Sequence, residues 1–230
     1  QEGRPIAMKI LVINPNSSSA MTADIDRCAK AFANGEFQVD TVLTPGAPPY
    51  IDTYQDAALA CPGMMQIVRE NEEAYDAFVV ACHCDPNLDV RKEMTDRLVV
   101  GIGEASMKMA TMLGHRFSVI SMGSRSTPIK EEVIRRYRLE DCAGPVRAPE
   151  DGLASCREEE LFLDAAKKAI EEDMAEVIVL GCAGMCGLDK TMEKALGVAV
   201  LDGVACALIL ASGMVKAGIA TSKKRRYAKN

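Results

Sequence analysis

The sequence of 230 residues lacks several features that would place it in a special class of protein. No apolar run reaches the roughly 18 residues that span a bilayer, and residues 1–7 lack the apolar segment of a signal peptide. We interpret residues 1–7 as a loose leader or an expression remnant, outside the fold. Acidic residues outnumber basic ones, which gives a formal net charge of −6. This charge argues against nucleic acid as a main partner, and the basic cluster at 223–226 is typical of a solvated chain end.

The sequence has only two histidines, whereas its nine cysteines are many for a chain of this length. The cysteines sit in apolar helical patterns or at strand ends, not in the spaced framework of a small secreted domain. We therefore expect reduced thiols and a cytoplasmic protein. Of the histidines, His115 precedes a predicted strand and is expected to lie in a surface loop. The composition, 48% hydrophobic and 26% charged, is ordinary for a globular protein with a real core.

Short apolar runs rich in β-branched residues alternate with helical patterns, which predicts an α/β chain with parallel sheets and right-handed crossovers. The predicted strands begin near Lys9, Phe37, Asp76, Arg97, Phe117, Glu176 and Val198. The second predicted helix, 54–70, contains Pro62. We expect the helix to restart there, because proline is tolerated in a first turn but not in an interior. The segment 141–158 has the least regular pattern.

Two of the predicted strands end in equivalent cysteines. Cys82 and Cys182 each follow a buried apolar run, and they are 100 positions apart. The same offset aligns further residues, and an offset of 108 aligns the first strands of the two repeats, at 9–16 and 117–124. An internal duplication is therefore predicted.

The duplication predicts two similar half-domains, 8–103 and 104–203, each a short parallel sheet flanked by helices. We expect the C-terminal helix and tail, 204–230, to pack back on the first half-domain. Because ligands bind at the carboxyl ends of parallel strands, we expect the active site in the cleft between the halves.

The loop after the first strand, 14–19, combines side-chain donors, turn formers and a helix N-cap. Asn14 and Ser17 would lie beside the carboxyl end of the strand and the free N–H groups of the next helix. This arrangement suits binding of an oxygen-rich or anionic group. A well-capped helix without a ligand explains the same pattern.

Cys82 and Cys182 permit three explanations. They could belong to a metal site with His83, Cys84 and Cys186, although the spacings are not those of the usual zinc knuckles. They could be inert core thiols, because free cysteine is among the most buried residue types. They could be an acid/base pair on opposite sides of a substrate.

The acid/base explanation has a specific chemistry. Inversion of a carbon next to a carbonyl needs a base on one face and an acid on the other. A thiol has an unperturbed pKa of about 8.5, which neighbouring dipoles lower, so one thiolate and one thiol can coexist near neutral pH. Such a reaction needs no cofactor. His83 could raise the thiolate population of Cys82 or bind substrate, or it could point away, because neighbours in an extended segment face opposite sides.

Several motifs together resemble the hydantoin racemase branch of the aspartate/glutamate racemase superfamily. They are Met8-Lys-Ile-Leu-Val-Ile-Asn-Pro-Asn-Ser-Ser, Asp56-Ala-Ala-Leu-Ala before Pro62-Gly63, Asp76-Ala-Phe-Val-Val-Ala-Cys82, Asp85-Pro86 with Leu88, Leu180-Gly-Cys-Ala-Gly-Met185, and Thr221-Ser-Lys with Arg226-Tyr-Ala. The resemblance implies two similar α/β half-domains with the active site between them. It also implies Cys82 and Cys182 as the catalytic thiols, and pocket loops that carry Asn14, Ile51, Ser121 and Arg125.

The chain departs from this branch in four places on loops expected to line the pocket. His83-Cys84 stand where Phe-Gly is usual, Asn87 where Gly is usual, Pro49-Tyr50 where small residues are usual, and Ser121-Met122 where two threonines are usual. These departures leave the two-thiol chemistry in place and bear on the identity of the substrate.

We therefore expect a racemase or epimerase that acts without a cofactor on a 5-substituted hydantoin, allantoin or a related carbonyl compound through a stabilised enolate. The alternatives are a decarboxylase or cis-trans isomerase of the same superfamily, or a non-catalytic protein that binds a metal or another ligand. Decarboxylases of the superfamily keep only the second cysteine, and this chain has both. A homo-oligomer is expected, because enzymes of this size are often symmetric assemblies.

Overall fold

The computed structural model describes residues 8–149 and 159–228, and these residues group into two units. The first unit contains the described chain up to Val80, the segment Pro86–Val100 and the chain from Leu208 onward. The second unit contains Ala81–Asp85 and Gly101–Ala207. The segment that bears Cys82 therefore groups with the second unit.

The sheet of the first unit contains β1 (Lys9–Asn14), β2 (Gln38–Leu43), β3 (Ala77–Val80) and β4 (Leu98–Gly101), in the order β2-β1-β3-β4. β1 pairs in parallel with both β2 and β3, and all but its first residue are buried. A continuous apolar run of this kind is typical of a strand that is covered on both faces. The helices between these strands are α1 (Ser19–Ala33), α2 (Tyr54–Asn71) and α3 (Leu88–Met94).

The second unit begins with α4 (Ile102–Leu113), and its sheet contains β5 (Phe117–Ile120), β6 (Val177–Leu180) and β7 (Ala199–Leu201) in that order. Both strand pairs are parallel. The other helices are α5 (Thr127–Arg136), α6 (Glu159–Asp173), α7 (Asp189–Leu196) and α8 (Gly203–Lys216), the last of which continues into the first unit. Within the described residues, no helix combines the length and apolar character needed to cross a bilayer.

The free edge of β5 is covered by a segment for which the sequence predicted no regular structure. Ala143 and Arg147 form isolated parallel bridges with Phe117 and Ile120. If this segment is counted as the second strand of its repeat, the order of the second sheet is this segment, β5, β6 and β7. That order corresponds to β2-β1-β3-β4 in the first sheet. The predicted α/β fold with parallel sheets and two similar halves is confirmed. The half-domain limits 8–103, 104–203 and 204–230 remain a proposal.

The predicted restart of the second helix at Pro62 is wrong, because α2 runs through Pro62 without a break. Proline lacks the N–H that would donate to the carbonyl four residues earlier, and its ring crowds that turn. Two other carbonyls of this helix accept from side chains of α3 and its N-cap: Asn87 Nδ2 donates to Ala57 O at 2.6 Å, and Arg91 Nη2 donates to Cys61 O at 3.0 Å. These bonds attach α2 to α3 close to Pro62.

Asn87 also holds an unusual backbone conformation at the start of α3. Its φ of 55° lies in the left-handed region, which asparagine tolerates better than most residues other than glycine. Asparagine therefore keeps the turn that glycine would permit at this position, and it adds a donor to α2.

The two contributions of Asn87 can be separated by mutation. Asn87→Ala removes the amide donor and also places an ill-suited side chain at positive φ, so we expect the free energy of unfolding to fall by about 2 kcal/mol. Asn87→Gly removes only the donor, and the expected fall is about 1 kcal/mol. Urea denaturation measures both. Equal losses in the two variants would show that the backbone conformation contributes nothing.

The basic tail contacts α3 rather than standing free of the fold. Lys223 Nζ donates to the carbonyls of Lys92 and Glu93, at 2.5 and 3.1 Å, in the last turn of that helix. Tyr227 donates to Asp89 Oδ1 at 2.7 Å. A cation at carbonyls that lack helical partners stabilises a helix C-terminus, which gives Lys223 a structural role.

Candidate active site

The segment after β3 turns sharply and carries two thiols close together. The Asp85 N–H donates to Cys82 O at 2.9 Å, which closes the turn, and Asp85 adopts a φ of 46°. The turn directs the side chains of Cys82 and Cys84 toward each other, and their thiols share a hydrogen bond.

Asp85 fixes this turn to the rest of the second unit. Its buried carboxylate accepts from Gly103 N–H at 3.0 Å and Glu104 N–H at 2.6 Å, which caps the N-terminus of α4. Tyr137 OH also donates to it at 2.6 Å. A Cβ atom on Gly103 would lie 2.7 Å from the carboxylate, so this approach requires glycine. Burial and Glu104 raise the pKa of Asp85 to about 7, against the opposing effect of the three donors.

A buried lysine that sequence analysis missed lies beside the two thiols. Lys130 is on α5 and only 5% exposed, and its Nζ donates to Cys84 Sγ at 3.4 Å. In the described part of the chain, no carboxylate lies within ion-pair distance of this ammonium. Burial alone would lower the pKa of Lys130, but the thiols of Cys84, Cys82 and Cys182 outweigh burial and raise it. The lysine is therefore charged, and three sulfur atoms lie within its electrostatic reach.

The two thiols of the turn titrate in opposite directions. The hydrogen bond from Cys82 and the ammonium of Lys130 lower the pKa of Cys84 to about 5, although burial opposes this shift. The same hydrogen bond to Cys84, together with burial, raises the pKa of Cys82 well above its ordinary value. At neutral pH the turn thus holds a Cys84 thiolate that accepts a hydrogen bond from the Cys82 thiol.

Cys182 occupies the corresponding position after β6. The Gly181 N–H donates to Ile120 O at 2.8 Å, where a Cβ atom would crowd the β5 backbone, so glycine lets the strand ends approach closely. Cys182 caps the one-turn 3₁₀ helix Ala183–Met185, with its Sγ accepting from Gly184 N–H at 3.4 Å.

Ser121 and Arg125 lie on the loop after β5, in the same unit as the three thiols. Ser121 is fully buried, and its hydroxyl donates to Gly123 O at 3.2 Å and shares a hydrogen bond with Ser126. Arg125 is exposed. Ser121 therefore shapes the loop at the carboxyl edge of β5, and Arg125 extends from it.

His83 is almost completely buried, and burial lowers its pKa well below the ordinary value. Its Nε2 lies 3.2 Å from Ser106 Oγ, and this hydroxyl already donates to Ile102 O at 2.7 Å. The imidazole is therefore neutral and donates from Nε2, which leaves Nδ1 as an acceptor without a hydrogen-bond partner among the described residues. Substrate binding by His83 stays a prediction.

The remaining predicted site residues belong to the first unit. Asn14 is buried at the end of β1, and its amide donates to Asn16 Oδ1 at 2.8 Å and Thr22 Oγ1 at 3.0 Å. Ser17 is half-buried, and its N–H donates to Pro48 O at 3.0 Å. Ile51 packs against the apolar core of this unit. The predicted N-cap at the start of α1 is Ser18, whose Oγ accepts from Met21 N–H at 3.2 Å.

The residues that sequence analysis missed are Lys130 and Tyr137, and it assigned no role to Cys84. One signal for Lys130 was available, because α5 buries Lys130, Val133 and Ile134, which are spaced as one helical face. A lysine at an apolar position of such a face indicates a buried charge that needs a partner. The metal alternative finds no support, since no three His, Cys, Asp or Glu side chains of the described chain are grouped to hold an ion.

The chain matches known proteins along nearly its whole length. The family model described as Asp/Glu/hydantoin racemase matches residues 10–211. The chain belongs to this racemase family. This racemase is 38% identical over 226 residues to a hydantoin racemase from Pseudomonas sp. (strain NS671), and the match covers 96% of this chain and 91% of that one.

Two solved structures resemble the racemase closely. An allantoin racemase from Klebsiella pneumoniae has a TM-score of 0.92 at 31% identity, with coverage of 97% of this chain and 94% of that one. An allantoin racemase from Pseudomonas fluorescens has a TM-score of 0.91 at 31% identity, with 97% of both chains covered. The protein is thus an isomerase of the racemase type.

The anchoring role of Asp85 in the racemase predicts a large loss of stability on its removal. Asp85→Ala leaves three donors without an acceptor, two of them buried backbone groups, and we expect the free energy of unfolding to fall by about 3 kcal/mol. Asp141→Ala is the matched control, since Asp141 is exposed, and its effect should stay within about 0.5 kcal/mol. Urea denaturation of both variants measures the difference. Similar midpoints for the two would show that Asp85 does not anchor the turn.

Proposed function

We propose that this protein racemises a 5-substituted hydantoin, allantoin or a related carbonyl compound, with Cys82 and Cys182 as the two proton-transfer groups. The observation that carries the proposal is that both thiols follow corresponding strands and lie close enough to Lys130 for their charges to raise its pKa. The relatives named hydantoin racemase and the structures titled allantoin racemase support the substrate class.

The proposed reaction has two steps. In the first, the thiolate of one cysteine removes the proton from the carbon next to the carbonyl, so the C–H bond breaks, an S–H bond forms and the electron pair moves to the carbonyl oxygen as an enolate. In the second, the thiol of the other cysteine delivers its proton to the opposite face and becomes a thiolate. After this step the first cysteine carries a proton and the second is a thiolate, which is the starting state for the reverse reaction. No redox change occurs and no cofactor takes part.

The enolate oxygen needs hydrogen-bond donors, because its charge develops during the reaction. We propose that the pocket loops predicted from the sequence supply them: Asn14 and Ser17 after β1, and Ser121 and Arg125 after β5. Ile51 and His83 would shape the part of the pocket that receives the substituent of the substrate.

The first test is the fate of single enantiomers in deuterated water. Purified protein is incubated with one enantiomer of allantoin and of several 5-alkyl and 5-aryl hydantoins. Loss of optical rotation together with entry of deuterium at the inverted carbon is the expected result for at least one compound, because the thiols exchange with solvent. Absence of both above the uncatalysed rate for every compound would contradict the proposal.

The thiols are tested by substitution. Cys82→Ser and Cys182→Ser should each reduce kcat for racemisation by about 10²- to 10⁴-fold, the usual contribution of a general acid or base, because serine is not ionised near neutral pH. Cys142→Ser, at a half-buried thiol whose backbone bonds to the first residue of β5, should change kcat less than about 2-fold. Full activity in either of the first two variants would exclude the two-thiol mechanism.

The eight cysteines of the described chain are free thiols, which supports the proposal of a cytoplasmic enzyme. We keep a homo-oligomer as part of the proposal, and light scattering of the purified protein tests it.

A further inference from the structure

The proposed proton transfer uses Cys82 and Cys182 and leaves Cys84 and Lys130 without a role. Yet these two side chains form a contact of 3.4 Å in the interior of the second unit. Burying an ammonium is costly unless an opposite charge accompanies it.

We propose that Cys84 and Lys130 form a thiolate–ammonium pair that accepts the proton of Cys82 and so prepares Cys82 to act as a base. This inference rests on the proposed function, because Cys84 acts on the substrate only through Cys82. Cys84 and Lys130 are in this sense positioning residues.

The first argument concerns the counter-charge of Lys130. Its Nζ has Cys84 Sγ as its hydrogen-bond acceptor, and no carboxylate in the described part of the chain pairs with it. Asp85 adjoins Cys84 in the chain, but its carboxylate bonds to the start of α4 and to Tyr137. A thiolate is therefore the group that balances the buried ammonium.

The second argument concerns the location of the proton. Cys82 and Cys84 lie in one turn, which the hydrogen bond from Asp85 N–H to Cys82 O closes at 2.9 Å, and the interaction between the two thiols favours the proton on Cys82 and the charge on Cys84. Transfer of that proton breaks the S–H bond of Cys82 and forms the S–H bond of Cys84, so the pair keeps one negative charge. The Cys82 thiolate that results can then remove a proton from substrate.

The third argument concerns charge during the whole reaction. Lys130 is within electrostatic reach of Cys84, Cys82 and Cys182. When Cys82 has taken the substrate proton and Cys182 has delivered its own, the negative charge lies on Cys182, still beside the same ammonium. One buried cation thus balances one negative charge as it moves among three sulfur atoms and the enolate.

Other ionisable groups around Cys84 do not replace this pair. Arg136, one and a half turns further along α5, adds a second positive charge that also favours the thiolate. His83 is neutral, and Lys130 itself contributes to that by lowering the pKa of the imidazole. From α4, Glu104 raises the pKa of Asp85, and it is not among the main influences on the pKa of Cys84.

The direct test is the pH at which the thiolate forms, which needs no substrate. Thiolate absorbance in the ultraviolet and the rate of alkylation by iodoacetamide, mapped to individual cysteines by mass spectrometry, are followed against pH. Lys130→Met should raise the midpoint for Cys84 by about 1 to 3 pH units, because an adjacent opposite charge is lost. Lys194→Met, at an exposed lysine of α7, is the matched control and should leave the midpoint unchanged.

The second test is the pH dependence of racemisation. In Lys130→Met, Cys84→Ala and Cys84→Ser, the acid limb of the kcat profile should move to higher pH, with a fall of about 10-fold or more at pH 6 and little change in KM. Cys84→Ser keeps a hydrogen-bonding group of similar size, so a purely structural role would be rescued by serine. The double variant Cys84→Ala with Lys130→Met should be no slower than the single variants, since the two residues act as one unit.

An unchanged thiolate midpoint in Lys130→Met, or an acid limb that stays in place while the midpoint moves, would overturn the inference. Retention of the wild-type profile in Cys84→Ser would also overturn it. If the wild-type protein racemises none of the compounds, the proposed function fails, and the thiolate titration still decides whether the pair exists.

Discussion

The carboxylate of Asp85 is the constraint on which the geometry of the site depends. It accepts from two buried backbone N–H groups at the start of α4 and from the partly buried Tyr137 at the C-terminal end of α5. Because the Cys82–Asp85 turn ends at this carboxylate, the positions of both thiols relative to α5 follow from it. The thiols can share a proton and lie near Lys130 only while that anchor holds.

Lys130 is the second constraint, and it acts through charge rather than shape. A lysine that is 5% exposed requires a counter-charge, and a thiolate supplies it here in place of the usual carboxylate. This choice has a chemical consequence. A carboxylate would hold its charge permanently, whereas a thiolate can take the proton of a neighbouring thiol and pass its charge to that sulfur. A buried Lys–Cys pair can therefore stabilise the fold as an ion pair and also accept a proton from a neighbouring thiol.

The structure shows what three of the residues that depart from the branch contact. Asn87 keeps the left-handed turn that glycine would permit, and it adds a hydrogen bond to α2 near Pro62. The pair His83-Cys84, where Phe-Gly is usual, places a neutral imidazole against Ser106 and a thiolate against Lys130. These residues add polar groups next to Cys82 in the chain.

The sequence by itself determined the features that depend on local pattern. Apolar β-branched runs predicted the strands, the 100-residue offset of Cys82 and Cys182 predicted equivalent positions, and the serines after β1 predicted an N-cap. Only the tertiary structure decided which residues meet across long separations. Cys84 and Lys130 are 46 residues apart, and Asp85 and Tyr137 are 52 apart. A buried lysine and a helix that continues through Pro62 both contradict local preference, because each is held by contacts with residues distant in sequence, and no local pattern records those contacts.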